Sequence, residues 1–151
     1  LQRQKNNYNK MKKDVPVSSI MTPNVFTLCV SDSLEKAEKL FREKKIRHIP
    51  VMNQDKVVGM LSYTDLLKIS IADTLDQDEE VVDVAIYDVF SIAQVMEKKM
   101  ICITPNTTIK EAAEILSNRE FHVLPVIENE NLVGILTTTD LIRYLVNQYQ
   151  R

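Results

Sequence analysis

Residues recur along this chain at a fixed offset of 75 positions, and that interval constrains the fold more than any other feature. It separates Gly59 from Gly134, Pro50 from Pro125, Val51 from Val126, Thr64 from Thr139 and Asp65 from Asp140. Upstream the alignment continues without a gap, matching Met21 with Met96, Leu28 with Ile103, Leu34 with Ile109 and Ala37 with Ala112. The duplicated stretches cover residues 17–69 and 92–144 of 151. Solenoid arrays usually need three or more repeats to bury a continuous face, so a lone pair predicts two half-domains packed on each other. A chain of this length buries roughly two thirds of its unfolded surface, enough for a core without disulfides or metal.

Each copy carries the same order of elements. In the first, Val25 to Leu28 is a short apolar strand, and Ser31, Asp32 and Ser33 offer an N-cap to a helix running to about Lys45. Its apolar residues, Leu34, Ala37, Leu40 and Phe41, fall at spacings of three and four and so share one face. Ile49–Met52 and Val57–Leu61 read as two strands joined by a polar turn. Thr64 or Asp65 then caps a second helix through Leu66, Leu67 and Ile71. The second copy repeats this with a strand at Met100–Ile103, a helix from Thr108, strands at Leu124–Ile127 and Leu132–Leu136, and a final helix from Asp140. The unit is β-α-β-β-α, and the fold class expected is α+β.

Five segments follow: a basic tail or linker (1–14), repeat one (15–72), an acidic linker (73–89), repeat two (90–146) and a C-terminal tail (147–151). Residues 73–88 hold seven acids and no Lys or Arg, whereas the first thirteen residues are basic without an acid. Those thirteen lack an apolar stripe, which leaves a helix nothing to bury.

Composition narrows the function. With only two glycines, neither a Walker loop nor a G-x-G-x-x-G fingerprint can be built. Cys29 and Cys102 belong to no C-x-x-C pair and read as small buried apolar residues, which disfavours a zinc or dithiol site. A net charge of −2 does not mark a nucleic-acid binder. No G-x-S-x-G elbow, H-E-x-x-H or Cys/His cluster supplies an activated nucleophile or a metal, so no catalytic residue is assigned and no enzyme activity is expected. No apolar run approaches the roughly 18 residues of a membrane span and no signal-peptide pattern opens the chain, so a cytoplasmic location is expected.

Arg47-His48-Ile49-Pro50-Val51 followed by Gly59-Met60-Leu61-Ser62-Tyr63-Thr64-Asp65 resembles the CBS domain family, the cystathionine-β-synthase-type domains. The second copy supplies His122-Val123-Leu124-Pro125-Val126 and Gly134-Ile135-Leu136-Thr137-Thr138-Thr139-Asp140. Ile20-Met21-Thr22 and Val95-Met96-Glu97 look like the family's lead-in segment. The whole resembles a CBS pair, or Bateman module. This resemblance implies a regulatory, non-catalytic module whose repeats pack about a pseudo-two-fold axis, leaving two clefts that bind AMP, ADP, ATP or S-adenosylmethionine, with no required cofactor. One cleft would use Thr27, Leu28, Arg47, His48, Ile49, Pro50, Thr137, Thr139 and Asp140. The other would use Ser62, Thr64, Asp65, Cys102, Ile103, His122, Leu124 and Pro125.

The chemistry of those roles stands on its own. A carboxylate at a helix start accepts ribose hydroxyls in charge-assisted bonds of roughly 1.5 to 3 kcal/mol each. Apolar residues such as Leu28 and Ile49 would sandwich adenine, and cations would neutralise phosphate. The plainer reading of Asp65 and Asp140 is that they cap helices. The copies also differ, since Arg47 becomes His122, Thr27 becomes Cys102 and Thr22 becomes Glu97. That makes the Asp140 cleft the richer in cations and the preferred ligand site. The alternative function is a structural dimerisation module with non-binding clefts.

The resemblance further implies a homodimer, in which two modules bury helical faces as a flat disc and an unidentified partner protein is regulated. Leu34, Leu66, Leu67, Ile69, Ile142 and Leu145 are the candidates for those faces, the alternative being that all six lie in the monomer core.

Overall fold

The computed structural model describes residues 14–74 and 87–149. Most of the basic tail and of the acidic linker lies outside them. In chain order the elements are a 3-10 turn (Val17–Ser19), β1 (Thr22–Pro23), β2 (Leu28–Cys29), α1 (Leu34–Lys44), β3 (His48–Asn53), β4 (Lys56–Ser62) and α2 (Tyr63–Thr74). There follow α3 (Ile92–Val95), α4 (Ile109–Ser117), β5 (Val123–Glu128), β6 (Asn131–Thr137) and α5 (Thr138–Tyr149). The β-α-β-β-α unit is present twice. In the second copy its opening strand shrinks to a single parallel bridge between Ile103 and Val126. α5 runs through residues expected to form the C-terminal tail.

Local sequence explains the helices. The Ser33 hydroxyl accepts from Lys36 N at 3.1 Å to start α1, which buries Leu34, Ala37 and Phe41. α1 ends where Lys45 takes a left-handed φ of 53°. α4 starts on a reciprocal box in which Thr108 Oγ1 accepts from Glu111 N and Glu111 accepts from Thr108 N. It buries Ile109, Ala112 and Leu116, the counterparts of the α1 face.

Two three-stranded sheets result, ordered β2-β3-β4 and β1-β6-β5. β2 and β3 are parallel, with α1 as the crossover, while β3–β4 and β5–β6 are antiparallel hairpins. β1 precedes repeat one's own sheet in sequence yet pairs with β6 of repeat two, Thr22 opposite Ile135. The reverse exchange also occurs, since Glu97 and Met60 donate to each other's carbonyls at 2.9 Å. Each repeat thus lends its lead-in segment to the other's sheet.

The cores follow the exchange. Ile92 and Met96, from the start of repeat two, pack with Leu28, Leu34, Phe41, Ile49 and Leu61 of repeat one. Val17 packs with Ala112, Leu124, Val126 and Leu136 of repeat two. Val17 N donates to Thr107 O and Ile109 N to Val15 O, each at 2.8 Å, fastening the first lead-in to the second repeat. Both glycines exist for this crossing. A Cβ on Gly134 would stand 2.8 Å from the Thr22 carbonyl oxygen, and one on Gly59 would run into the Met96 thioether. A third cluster, Met60, Val123 and Ile135 with Val25 and Met100 against it, forms the seam between the repeats.

Three expectations are corrected here. Leu34 and Leu66 belong to the core of repeat one, at 0% and 1% exposure, because α1 and α2 turn those sides onto the sheet. Ile69 is half-buried against the same core. Cys29 and Cys102 are exposed rather than buried, since they follow the inward-pointing Leu28 and precede the inward-pointing Ile103. Among the described residues no helix is long and apolar enough to cross a membrane.

Candidate functional site

The repeated hydroxyl-x-x-Asp motif closes on itself at the start of each second helix. In repeat two, Asp140 Oδ2 accepts from Thr137 N and Thr137 Oγ1, both at 2.8 Å, and Asp140 N donates back to Thr137 Oγ1 at 3.2 Å. In repeat one, Asp65 Oδ2 accepts from Ser62 Oγ at 2.5 Å and from Ser62 N at 3.3 Å, with Asp65 N returning to Ser62 Oγ at 3.0 Å. Ser62 and Thr137 are therefore the N-caps and each aspartate closes the box from the third helical position, so the helices start at Tyr63 and Thr138, ahead of the expected caps at Thr64 or Asp65 and at Asp140. The box engages one carboxylate oxygen and leaves Oδ1 of each aspartate outside the cap.

Each Oδ1 faces a cation three residues on. Lys68 Nζ lies 3.6 Å from Asp65 Oδ1, and Arg143 Nη1 lies 3.5 Å from Asp140 Oδ1. Lys68 and Arg143 are themselves separated by the repeat interval and were not among the sequence candidates. The signal was available in their i+3 spacing from the two aspartates. Both cations are largely exposed, so neither geometry is a tight pair. The carboxylates differ in access: the Asp140 side chain is 6% exposed and that of Asp65 29%.

Strand-to-helix junctions position the remaining polar candidates. Tyr63 N donates to Arg47 O at 2.9 Å, and Thr138 N to His122 O at 3.0 Å. Arg47 therefore stands by the backbone at the start of α2, and His122 at the start of α5. Both residues are exposed, as are Thr27, Thr64 and Thr139. His48 opens β3 opposite Ser62 and is half-buried. Burial holds its imidazole below the ordinary range, helped by the charge of His122 and then opposed by Asp65. His48 thus lies within electrostatic reach of Asp65 in its own repeat and of His122 in the other.

The apolar candidates sit elsewhere. Leu28, Ile49, Ile103 and Leu124 are buried in the two repeat cores, with Leu28 also at the wall of an open hollow. Strand alternation and the covering helices direct them inward. Pro50 and Pro125 are buried too. Parallel pairing with β2 starts at Val51, just past the residue that lacks an N–H. The Cys102 thiol is raised by partial burial, while Cys29 is lowered, first by the Ser31 hydroxyl at 3.1 Å.

An open hollow of about 690 Å³ lies where the first lead-in passes between the sheets. Thr27, Leu28, Cys29 and Asn24 line it together with Asp55 and the start of β6 at Asn131–Val133. It takes in Thr27 and Leu28 of the preferred set, but not Arg47, His48, Thr137 or Asp140.

Known proteins share this architecture. The CBS domain profile matches residues 17–72 and 92–147. The crystal structure of CBSX2 in complex with AMP superposes with a TM-score of 0.71 at 26% identity, covering 91% of this chain and 99% of that one. The CBS domain-containing protein YhcV of Bacillus subtilis is 26% identical across 83% of this chain and 81% of its own length. A homoserine O-acetyltransferase of Methanohalobium evestigatum is 30% identical over 85% of this chain, which spans only 24% of that enzyme. With the profile matching both repeats and the cross-packed pair of β-α-β-β-α units matching solved CBS pairs, this chain belongs to the CBS domain family.

Proposed function

We propose that this protein is a regulatory module that binds an adenine nucleotide or other adenosyl ligand across its two repeats, and that binding alters how the repeats sit against each other. The observation that carries this reading is the repeated hydroxyl–aspartate box, which holds one carboxylate oxygen in the helix cap and leaves the other for a ligand. Ribose hydroxyls donating to that oxygen would displace only a long contact to Arg143 or Lys68. The freed cation, with Arg47 and the histidines, would then face phosphate. The similarity to CBSX2, solved with AMP, supports the ligand class.

The Asp140 box is the preferred one. Titration calorimetry with AMP on Asp140→Asn, Arg47→Ala and Asp65→Asn tests it, the asparagines keeping an acceptor for the cap. Losing one charge-assisted bond exceeds the roughly 1.4 kcal/mol of a decade, so Asp140→Asn and Arg47→Ala should each weaken binding tenfold or more, and Asp65→Asn less. The opposite ranking would move the ligand to the Asp65 box. A flat melting response to AMP, ADP, ATP and S-adenosylmethionine would leave a structural dimerisation module, because saturating ligand adds about 2.7 kcal/mol at a hundred times Kd and raises the midpoint by several degrees.

A further inference from the structure

The seam between the repeats is built from residues related by the repeat interval, with one exception. Met60 and Ile135 form one such pair, and Val25 and Met100 another. The remaining member is Val123, buried at 8% exposure, and its counterpart 75 positions earlier is His48. An imidazole therefore stands at a seam position that the other repeat fills with valine.

The charged groups around it are unevenly matched. His122 approaches from the segment before β5, Arg47 is its chain neighbour, and Asp65 stands at the start of α2. Asp65 is already shared between the Ser62 cap and Lys68. From the second lead-in, Glu97 bridges to Met60 by backbone while its carboxylate accepts from Lys99 N at 2.7 Å. Among the described residues the surroundings suit a neutral ring and offer a cationic one a single, occupied carboxylate, that of Asp65.

We infer that His48 makes the seam a proton-sensitive joint: with the ring neutral the repeats close on each other, and protonation loosens their packing. Charging a half-buried ring beside Arg47 and His122 costs free energy that the seam can recover only by opening toward water. The sign follows from the lowered basicity of the folded-state ring. The unfolded chain takes up its proton near 6.5 and the folded chain only at lower pH, so the stability this group confers is complete above about 6.5. It is lost as pH falls through the folded value. Acid thus acts on the same repeat-to-repeat packing that a cross-repeat ligand would bias, without needing that ligand.

The chain holds only two histidines, which makes the titration clean to follow. Proton NMR of the two rings, together with ¹³C-methyl methionine labelling, should show His48 titrating below the ordinary imidazole range. The methyls of Met60 and Met100, both at the seam, should shift on the same curve. In His48→Val, which copies the other repeat, those methyls should stop responding between about pH 7 and pH 5, where carboxylates at ordinary values stay charged. The fall in melting temperature over that range should shrink by at least half. His48→Gln, polar and uncharged, should behave likewise and serves if the valine variant does not fold, and His122→Asn should retain the seam response. Seam methyls that hold still while His48 titrates, or an acid response undiminished in both His48 variants, would overturn the inference.

Discussion

Glycine is used sparingly in this chain, and both glycines sit under a lead-in segment crossing from the other repeat. The two crossings are not equally tolerant. At Gly134 the obstacle to a methyl group is a backbone carbonyl, Thr22 O, which β1 pairing holds in place. At Gly59 the obstacle is the Met96 side chain, which has rotatable bonds to yield with. Gly134→Ala should therefore cost more than Gly59→Ala, on the order of 1 to 3 kcal/mol against a smaller loss. Urea unfolding of the two variants measures the difference, and equal costs would mean that β1 slides as easily as a methionine turns. The aspartate boxes show the same economy, since one carboxylate both closes a helix end and keeps an oxygen outside the cap.

Among the elements, the short ones decide how the repeats combine. β1 has two residues, too few to show any alternation, yet it joins the sheet of the other repeat. The 3-10 turn before it buries Val17 completely in the second core. Val17→Ala should thus destabilise the protein by about 2 kcal/mol from lost burial and a small cavity. Its local signature should be in repeat two: amides of β5 and β6 should exchange faster than those of β3 and β4 by hydrogen exchange. Faster exchange confined to β3 and β4 would contradict the crossed packing.

Over the described molecule, exposed apolar residues recur on the second helix of each repeat, while Phe26, Val89 and Phe90 lie outside those helices. Leu67 on α2 is 41% exposed, and its counterpart Ile142 on α5 is 62% exposed, with Leu145 and Val146 beside it. Symmetry-related exposed residues on both helices are what a flat dimer of modules would bury, and each large side chain fully buried adds roughly 1.5 to 3 kcal/mol. We expect a dimer by sedimentation at tens of micromolar, and a monomer with the fold retained when Leu67→Glu and Ile142→Glu are combined. Sedimentation of the unaltered protein as monomer alone would refute the dimer.

Much of this was legible from residue order, because periodicity and capping are local. The spacing of Leu34, Ala37 and Phe41, the hairpins, the β-α-β-β-α order and the box residues Ser62, Asp65, Thr137 and Asp140 all follow from neighbours within a few positions. The fixed interval added what local pattern lacks, a pairing of each residue with its counterpart. Distant pairing had no sequence signal of its own. Which sheet β1 joins, which core takes Val17 and Ile92, and why the glycines are needed depend on segments that meet only when the repeats fold together. For the same reason the helix periodicity marked Leu66 and Leu67 as equally apolar. Only the packed sheet decided that one is core and the other surface.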